Sequence, residues 1–226
     1  MAEVNPIAER LSALRRELPD GVRLVAVSKF HPVESIMEAY RAGQRVFGES
    51  RVQELVAKRQ QLPDDVRLHY IAHLQRNKVR AVLPCVEMIE SIDSIDLLHL
   101  VDREANRIGR TIDVLLQVHV AREQAKTGFA VEELLDAAVR GELSNFGNAR
   151  ICGLMAMATF TDDMVQVARE FDVARHTFEV LKEEFFADDP SFAVLSMGMT
   201  DDWRVAVAHG STQVRIGSAI FGPRMT

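Results

Sequence analysis

Short apolar runs and amphipathic stretches alternate along the whole chain. Ile7, Leu11, Leu14 and Leu18 recur within residues 5–18 at spacings that place them on one helical face, and Pro19-Asp20-Gly21 ends that pattern. Val22-Arg23-Leu24-Val25-Ala26-Val27-Ser28-Lys29 follows, a valine-rich run of the kind that forms a buried strand. Strand patterns are predicted at 22–28, 45–48, 67–72, 86–90, 112–119, 150–156, 192–196 and 213–217. Helical patterns separate them at 33–42, 50–61, 75–83, 94–108, 131–141, 163–186 and 201–208. In the 94–108 segment Leu98, Val101, Ala105 and Ile108 make one stripe, with Ser94 placed as an N-cap.

Eight strands separated by helices imply parallel pairing through right-handed crossovers. An open doubly wound sheet satisfies this, and so does a closed (β/α)8 TIM barrel; the count of eight favours the barrel, here with an extra N-terminal helix. At 226 residues the chain lies in the lower part of the barrel range, so long insertions are not expected. No composition break marks a linker, and residues 1–226 are expected to form one barrel domain.

Composition narrows the function classes. Hydrophobic residues make up 47 % of the chain, enough for a core without metal or disulfide support. The net charge is −6, with no basic stripe and no aromatics interleaved with Arg or Lys, which argues against nucleic acid as the main partner. The two cysteines, Cys85 and Cys152, have no paired spacing, as expected in a reducing cytoplasm. The N-terminus lacks the charged and apolar regions of a signal peptide, and no apolar run approaches a membrane span. The expected setting is therefore cytoplasmic, with no membrane partner.

Lys29 carries the first chemical signal. It ends an apolar strand and precedes Phe30-His31-Pro32. Burial lowers the pKa of an amine, and a neutral amine attacks aldehydes to form a Schiff base. Pyridoxal 5'-phosphate (PLP) is the commonest biological reason for such a lysine. Taken alone, a snorkelling surface lysine is the commoner reading. The barrel changes the weighing, because chemistry in such barrels sits at the C-terminal ends of the strands, where Lys29 falls. Phosphate sites commonly use the loops after strands seven and eight, here Ser196-Met197-Gly198-Met199-Thr200 and Gly217-Ser218. Both are small, glycine-containing and hydroxyl-bearing, as backbone approach to an anion requires. Asp201-Asp202 reads simply as first-turn acid of a helix. Arg215, between apolar neighbours in the last strand, needs a partner for its planar fork. An acid on a neighbouring strand supplies one; the pyridine nitrogen of PLP is the alternative. An arginine there leaves that nitrogen unprotonated, which suits holding the cofactor or modest proton transfer better than deep carbanion chemistry.

Several blocks stand out together: Val27-Ser28-Lys29, Phe47-Gly48-Glu49, Val52-Gln53-Glu54, His73-Leu74-Gln75 with Asn77-Lys78, Gly153-Leu154-Met155-Ala156, Leu195-Ser196-Met197-Gly198-Met199 and Arg215-Ile216-Gly217-Ser218. Together they resemble the PLP homeostasis protein family. The blocks keep their order over nearly the whole chain. The resemblance implies a barrel like the N-terminal domain of alanine racemase, of fold-type III. It also implies PLP on Lys29, phosphate held by Ser196, Gly198, Gly217 and Ser218, and Arg215 facing the pyridine nitrogen. Family members are regarded as carriers or buffers of PLP in vitamin B6 and amino-acid homeostasis, without established catalytic turnover, so PLP-dependent apoenzymes are the expected partners. The sequence departs from the family pattern at His31, where a second lysine is usual, at Ser50 in place of an asparagine, and in Leu68-His69-Tyr70-Ile71-Ala72. The first change puts a second lysine's role in doubt, and the second weakens any contact from position 50. Lys126, in Lys126-Thr127-Gly128, resembles a family turn and reads either as an exposed loop lysine or as a secondary PLP site.

Other candidates are weaker. His69 and His73 are four apart, but they lie near a strand end without further convergent ligands, so no metal is expected. His73 can instead face the barrel mouth, and it and Ser50 are both candidate cofactor contacts. Met155, Met157, Met197 and Met199 are expected to fill core and pocket, with Met157 and Met199 at the cofactor. A PLP-dependent amino-acid racemase of low activity is the alternative function. It requires a base on each face of the reacting carbon, and the only tyrosines are Tyr40 and Tyr70. The racemases take their second base from an additional β domain across a dimer. The sequence ends soon after the eighth predicted strand, so that domain is not expected and a monomer is.

Overall fold

The structure, a computed structural model, describes residues 6–121 and 127–223. Eight strands pair in parallel in chain order and close into a barrel: β1 (Arg23–Val27), β2 (Val46–Glu49), β3 (Arg67–Tyr70), β4 (Met88–Ile92), β5 (Ile112–Gln117), β6 (Ala149–Met155), β7 (Val194–Ser196) and β8 (Gln213–Ile216). Closure is made by β8 on β1, with Leu24 opposite Val214 and Ala26 opposite Ile216. The expected TIM barrel is therefore present, and the open sheet is excluded.

Helices occupy the predicted intervals: α1 (Pro6–Glu17), α2 (Val33–Arg41), α3 (Val52–Arg59), α4 (Val79–Val82, flanked by 3-10 turns), α5 (Ile95–Arg107), α6 (Val131–Val139), α7 (Met164–Glu184) and α8 (Trp203–Ala208). The sequence reading missed α9 (Ser218–Phe221), a single turn directly after β8. Arg10 of α1 donates to the Ile220 carbonyl of α9 at 3.1 Å, so the N-terminal helix braces the turn that follows the last strand. Ser94 caps α5 as expected, its hydroxyl accepting the Leu97 N–H at 3.3 Å.

The strands are buried along nearly their whole length. A large apolar cluster lies between strands and helices, and a smaller one of Met88, Leu115, Cys152 and Met155 fills the barrel itself. Gly153 in β6 has φ +143°, and a Cβ there would stand 1.9 Å from the Val194 carbonyl oxygen. Only glycine allows β6 and β7 to pair so closely at this point.

Candidate functional site

The turn after β1 sets the direction of Lys29. The His31 N–H donates to the Ser28 carbonyl at 3.1 Å, and Phe30 takes φ +66°. A positive φ at the third position of a four-residue turn is the type II geometry, which normally selects glycine. Phenylalanine is held there because its N–H donates to Glu54 Oε2 at 2.9 Å and Arg51 lies over its ring. Beneath the turn is a buried polar knot. Lys58 Nζ reaches the Ser28 carbonyl at 2.9 Å, Glu49 Oε1 at 2.8 Å and Glu54 Oε2 at 3.2 Å. The Ser28 hydroxyl donates to Glu49 Oε1 at 2.6 Å. Glu49 Oε2 is buried without a partner, and burial raises the pKa of this carboxyl despite the lysine beside it.

Lys29 opens into a cleft of about 610 Å³ at the C-terminal ends of the strands. Among the sequence-predicted site residues, Ser50, His73, Met157, Met199, Arg215, Gly217 and Ser218 line the same cleft. His73 Nδ1 lies 2.7 Å from Asp93, which orients the ring at the rim. The Ser218 hydroxyl donates to Thr200 Oγ1 at 3.3 Å, joining the loops after β7 and β8. A Cβ on Gly217 would press on the Val27 carbonyl oxygen at 3.1 Å, so β1 and the last loop are close-packed here.

Ser196 and Gly198 do not line the cleft. The Ser196 side chain turns into the barrel, where its hydroxyl donates to Glu90 Oε2 at 2.6 Å. Gly198 has φ +95° and faces α8, where a Cβ would stand 2.6 Å from Ala206 Cβ. The strand alternation that aims Arg215 inward also carries Ser196 inward. Its neighbours Met199 and Thr200 reach the cleft instead. Asp202 accepts the Met199 N–H at 2.5 Å and closes this loop, and its own burial raises its pKa. Lys126 lies outside the described residues.

Arg215 is buried, with three hydrogen bonds from its two terminal nitrogens. One nitrogen donates to the Ser196 carbonyl at 2.9 Å and to the Ser196 hydroxyl at 2.6 Å; the other donates to the Ala156 carbonyl at 2.9 Å. A guanidinium has five N–H groups, so two remain after these contacts. Behind it, Glu90 Oε2 lies 3.8 Å from Arg215, and Glu90 Oε1 lies 2.7 Å from His69 Nδ1. Sequence reasoning missed Glu90, although it shares strand parity with Met88 and faces His69 across the β3–β4 pair. His31, which the sequence marked only as a departure from the family pattern, lines the cleft and stacks on Phe221 at 5.0 Å. Burial and nearby Lys58 lower the His31 pKa. His69 and His73 take different acids, and among the described residues no group of three or more His, Cys, Asp or Glu could hold a metal ion.

Comparison with known proteins places this geometry. Residues 3–225 match the family described as alanine racemase, N-terminal domain. The pyridoxal phosphate homeostasis protein of Pasteurella multocida is 37 % identical over 207 residues, covering 90 % of this chain and 87 % of the relative. That of Escherichia coli K12 is 34 % identical, covering 98 % of each chain. This chain belongs to the pyridoxal phosphate homeostasis protein family. Among solved structures, PipY of Synechococcus elongatus PCC7942 without PLP superposes with a TM-score of 0.90 at 39 % identity, covering 96 % of this chain and all of that one. The PLP-bound form of PipY gives 0.86 at 38 % identity, with the same coverage. An alanine racemase from E. faecalis, at 18 % identity and a TM-score of 0.77, shares the barrel fold over 58 % of its length. Of the positions expected to depart from the family pattern, His31, Ser50 and Ala72 line the cleft, while Leu68 and Tyr70 do not.

No helix among the described residues is long and apolar enough to cross a membrane.

Proposed function

We propose that this protein binds PLP in the cleft and carries or buffers it for PLP-dependent apoenzymes, within vitamin B6 and amino-acid homeostasis. The observation that carries the reading is the convergence of three chemically distinct donors on one cleft: an amine, a guanidinium and paired hydroxyls. The donor set fits the cofactor. Lys29 offers an amine for the aldehyde, Arg215 keeps N–H groups for a ring-nitrogen acceptor, and Ser218 with Thr200 offers hydroxyls for phosphate. The first-turn N–H groups of α9, on Ser218 and Ala219, add to the phosphate end. PLP would supply an aldehyde carbon there, which the Lys29 amine would hold covalently with loss of one water.

The remaining residues hold rather than turn over. Phe30, Ser28 and Lys58 fix the turn that aims Lys29, and Arg215 would donate to the ring without giving up its proton. Met157 and Met199 wall the cleft with adaptable apolar surface. Tyr40, bonded to Asp65 at 2.8 Å, and Tyr70, buried, are both absent from the cleft lining, so neither tyrosine supplies a second base across from Lys29. Ser196 enters this reading as support for Arg215 rather than as a phosphate ligand, and Gly198 as the close contact that seats the loop on α8.

The test compares two activities of PLP-loaded protein. Incubation with an apo PLP-dependent enzyme is expected to restore that enzyme's activity, while L-alanine keeps its configuration. Racemisation of alanine at ordinary enzyme rates, on the order of 1 per second or faster, would overturn the carrier reading in favour of the racemase.

A further inference from the structure

Arg215 rests on a buried relay that runs away from the cleft. From the cleft inward it is Arg215, the Ser196 hydroxyl, Glu90 and His69, with successive separations of 2.6, 2.6 and 2.7 Å. Gln213 adds a contact to the Ser196 hydroxyl at 3.3 Å. Glu90 and Ser196 are fully buried and Arg215 nearly so. Each member comes from a different strand pair position on the barrel interior, so the relay spans β3, β4, β7 and β8.

We infer that Glu90 is a positioning residue for the cofactor site: through Ser196 it fixes the Arg215 fork, and its carboxylate charge offsets the guanidinium that would face the ring nitrogen. The inference rests on the PLP-binding reading above. An ionised carboxylate only accepts hydrogen bonds, and both Glu90 oxygens have donors at short range. Burial alone would raise the Glu90 pKa, but His69, Arg215 and Ser196 outweigh it and hold the carboxyl below its ordinary range. A guanidinium and a carboxylate together present little net charge to the ring. Remove the carboxylate, and the guanidinium that would face the ring nitrogen keeps only the more distant influence of Asp202. The other charged or titratable groups facing this region are Asp202, which acts on Arg215, and Lys29, His31, His73, Asp162 and Asp201 around the cleft.

A less compensated cation beside the ring nitrogen would disfavour a second positive charge on the nitrogen that links lysine to the cofactor. The pH at which that nitrogen loses its proton, read from the visible absorption band of PLP-loaded protein, therefore falls in Glu90→Gln. The expected shift is about one pH unit downward. Glu90→Asp, which retains the charge, is expected to titrate close to the wild type. Removing one partner of a buried ionic group is destabilising, so Glu90→Leu/His69→Leu, which removes both partners together, carries the same expectation should Glu90→Gln not fold. Variants that bind PLP and titrate like the wild type would overturn the role of Glu90 while leaving PLP binding intact. Wild-type protein that takes up no PLP would overturn both readings.

Discussion

Lys58 shows how much a single side chain can organise. It is 8 % exposed at its side chain, yet it is not in the cleft; it holds the Ser28 carbonyl and two glutamates directly under the turn that carries Lys29. Lys58→Met is expected to destabilise the fold by about 3–5 kcal/mol, because Glu49 is left buried and uncompensated. Urea unfolding measures that loss, and Lys58→Met/Glu49→Leu is expected to recover much of it. At this scale the sequence was partly legible. Lys29 and Arg215 stood out because a charged group beside valine and isoleucine has to be explained. Glu90 did not stand out, because a glutamate within Met88-Ile89-Glu90-Ser91-Ile92 reads equally well as a solvent-facing residue of an alternating strand. Only closure of the barrel makes that face an interior, and all five residues are buried.

Among the elements, the tightest constraint is where β6 meets β7. Gly153→Ala would drive a methyl into the Val194 carbonyl at a backbone angle side chains rarely adopt. A loss of at least about 3 kcal/mol is expected, measured by urea or thermal unfolding, with the visible spectrum of bound PLP perturbed because β6 leads into Met157 and β7 into Met199. The elements themselves were legible because each strand is a short apolar run between amphipathic helices. Their ends were less so: the pattern at 192–196 gives Val194–Ser196, and that at 75–83 gives α4 with its 3-10 turns. The α9 turn was missed because four residues are too few to show a helical period. The loop after β7 was recognised as small and glycine-bearing, but composition does not reveal which side chains face the cleft. That depends on strand parity, which sends Ser196 inward.

For the whole molecule, acid stability offers a test independent of the cleft. Glu104 of α5 accepts from Arg80 of α4 at 3.0 Å and from Arg107 at 2.8 Å, and these partners hold its pKa at about 2, from an ordinary 4.5. A depressed carboxyl pKa stabilises the fold above pH 4.5, and that contribution is lost as the pH falls toward about 2. Glu49 and Asp202, raised by burial, act in the opposite sense, their contribution fading as pH rises. Glu104→Gln is expected to lower the urea midpoint at neutral pH and to converge on the wild type near pH 2, where Glu104 is half protonated in the fold. A constant gap between the two proteins across that range would remove Glu104 from the acid response.

The braced first turn and the relay behind Arg215 meet at the cleft that Lys29 and Arg215 both line. Borohydride reduction of PLP-loaded protein followed by peptide mapping tests that convergence most directly. The expected result is a single pyridoxyl group on the peptide containing Lys29, and a Lys29→Ala protein that folds but takes no label. A label on another lysine, with Lys29→Ala retaining its full yellow colour, would contradict it.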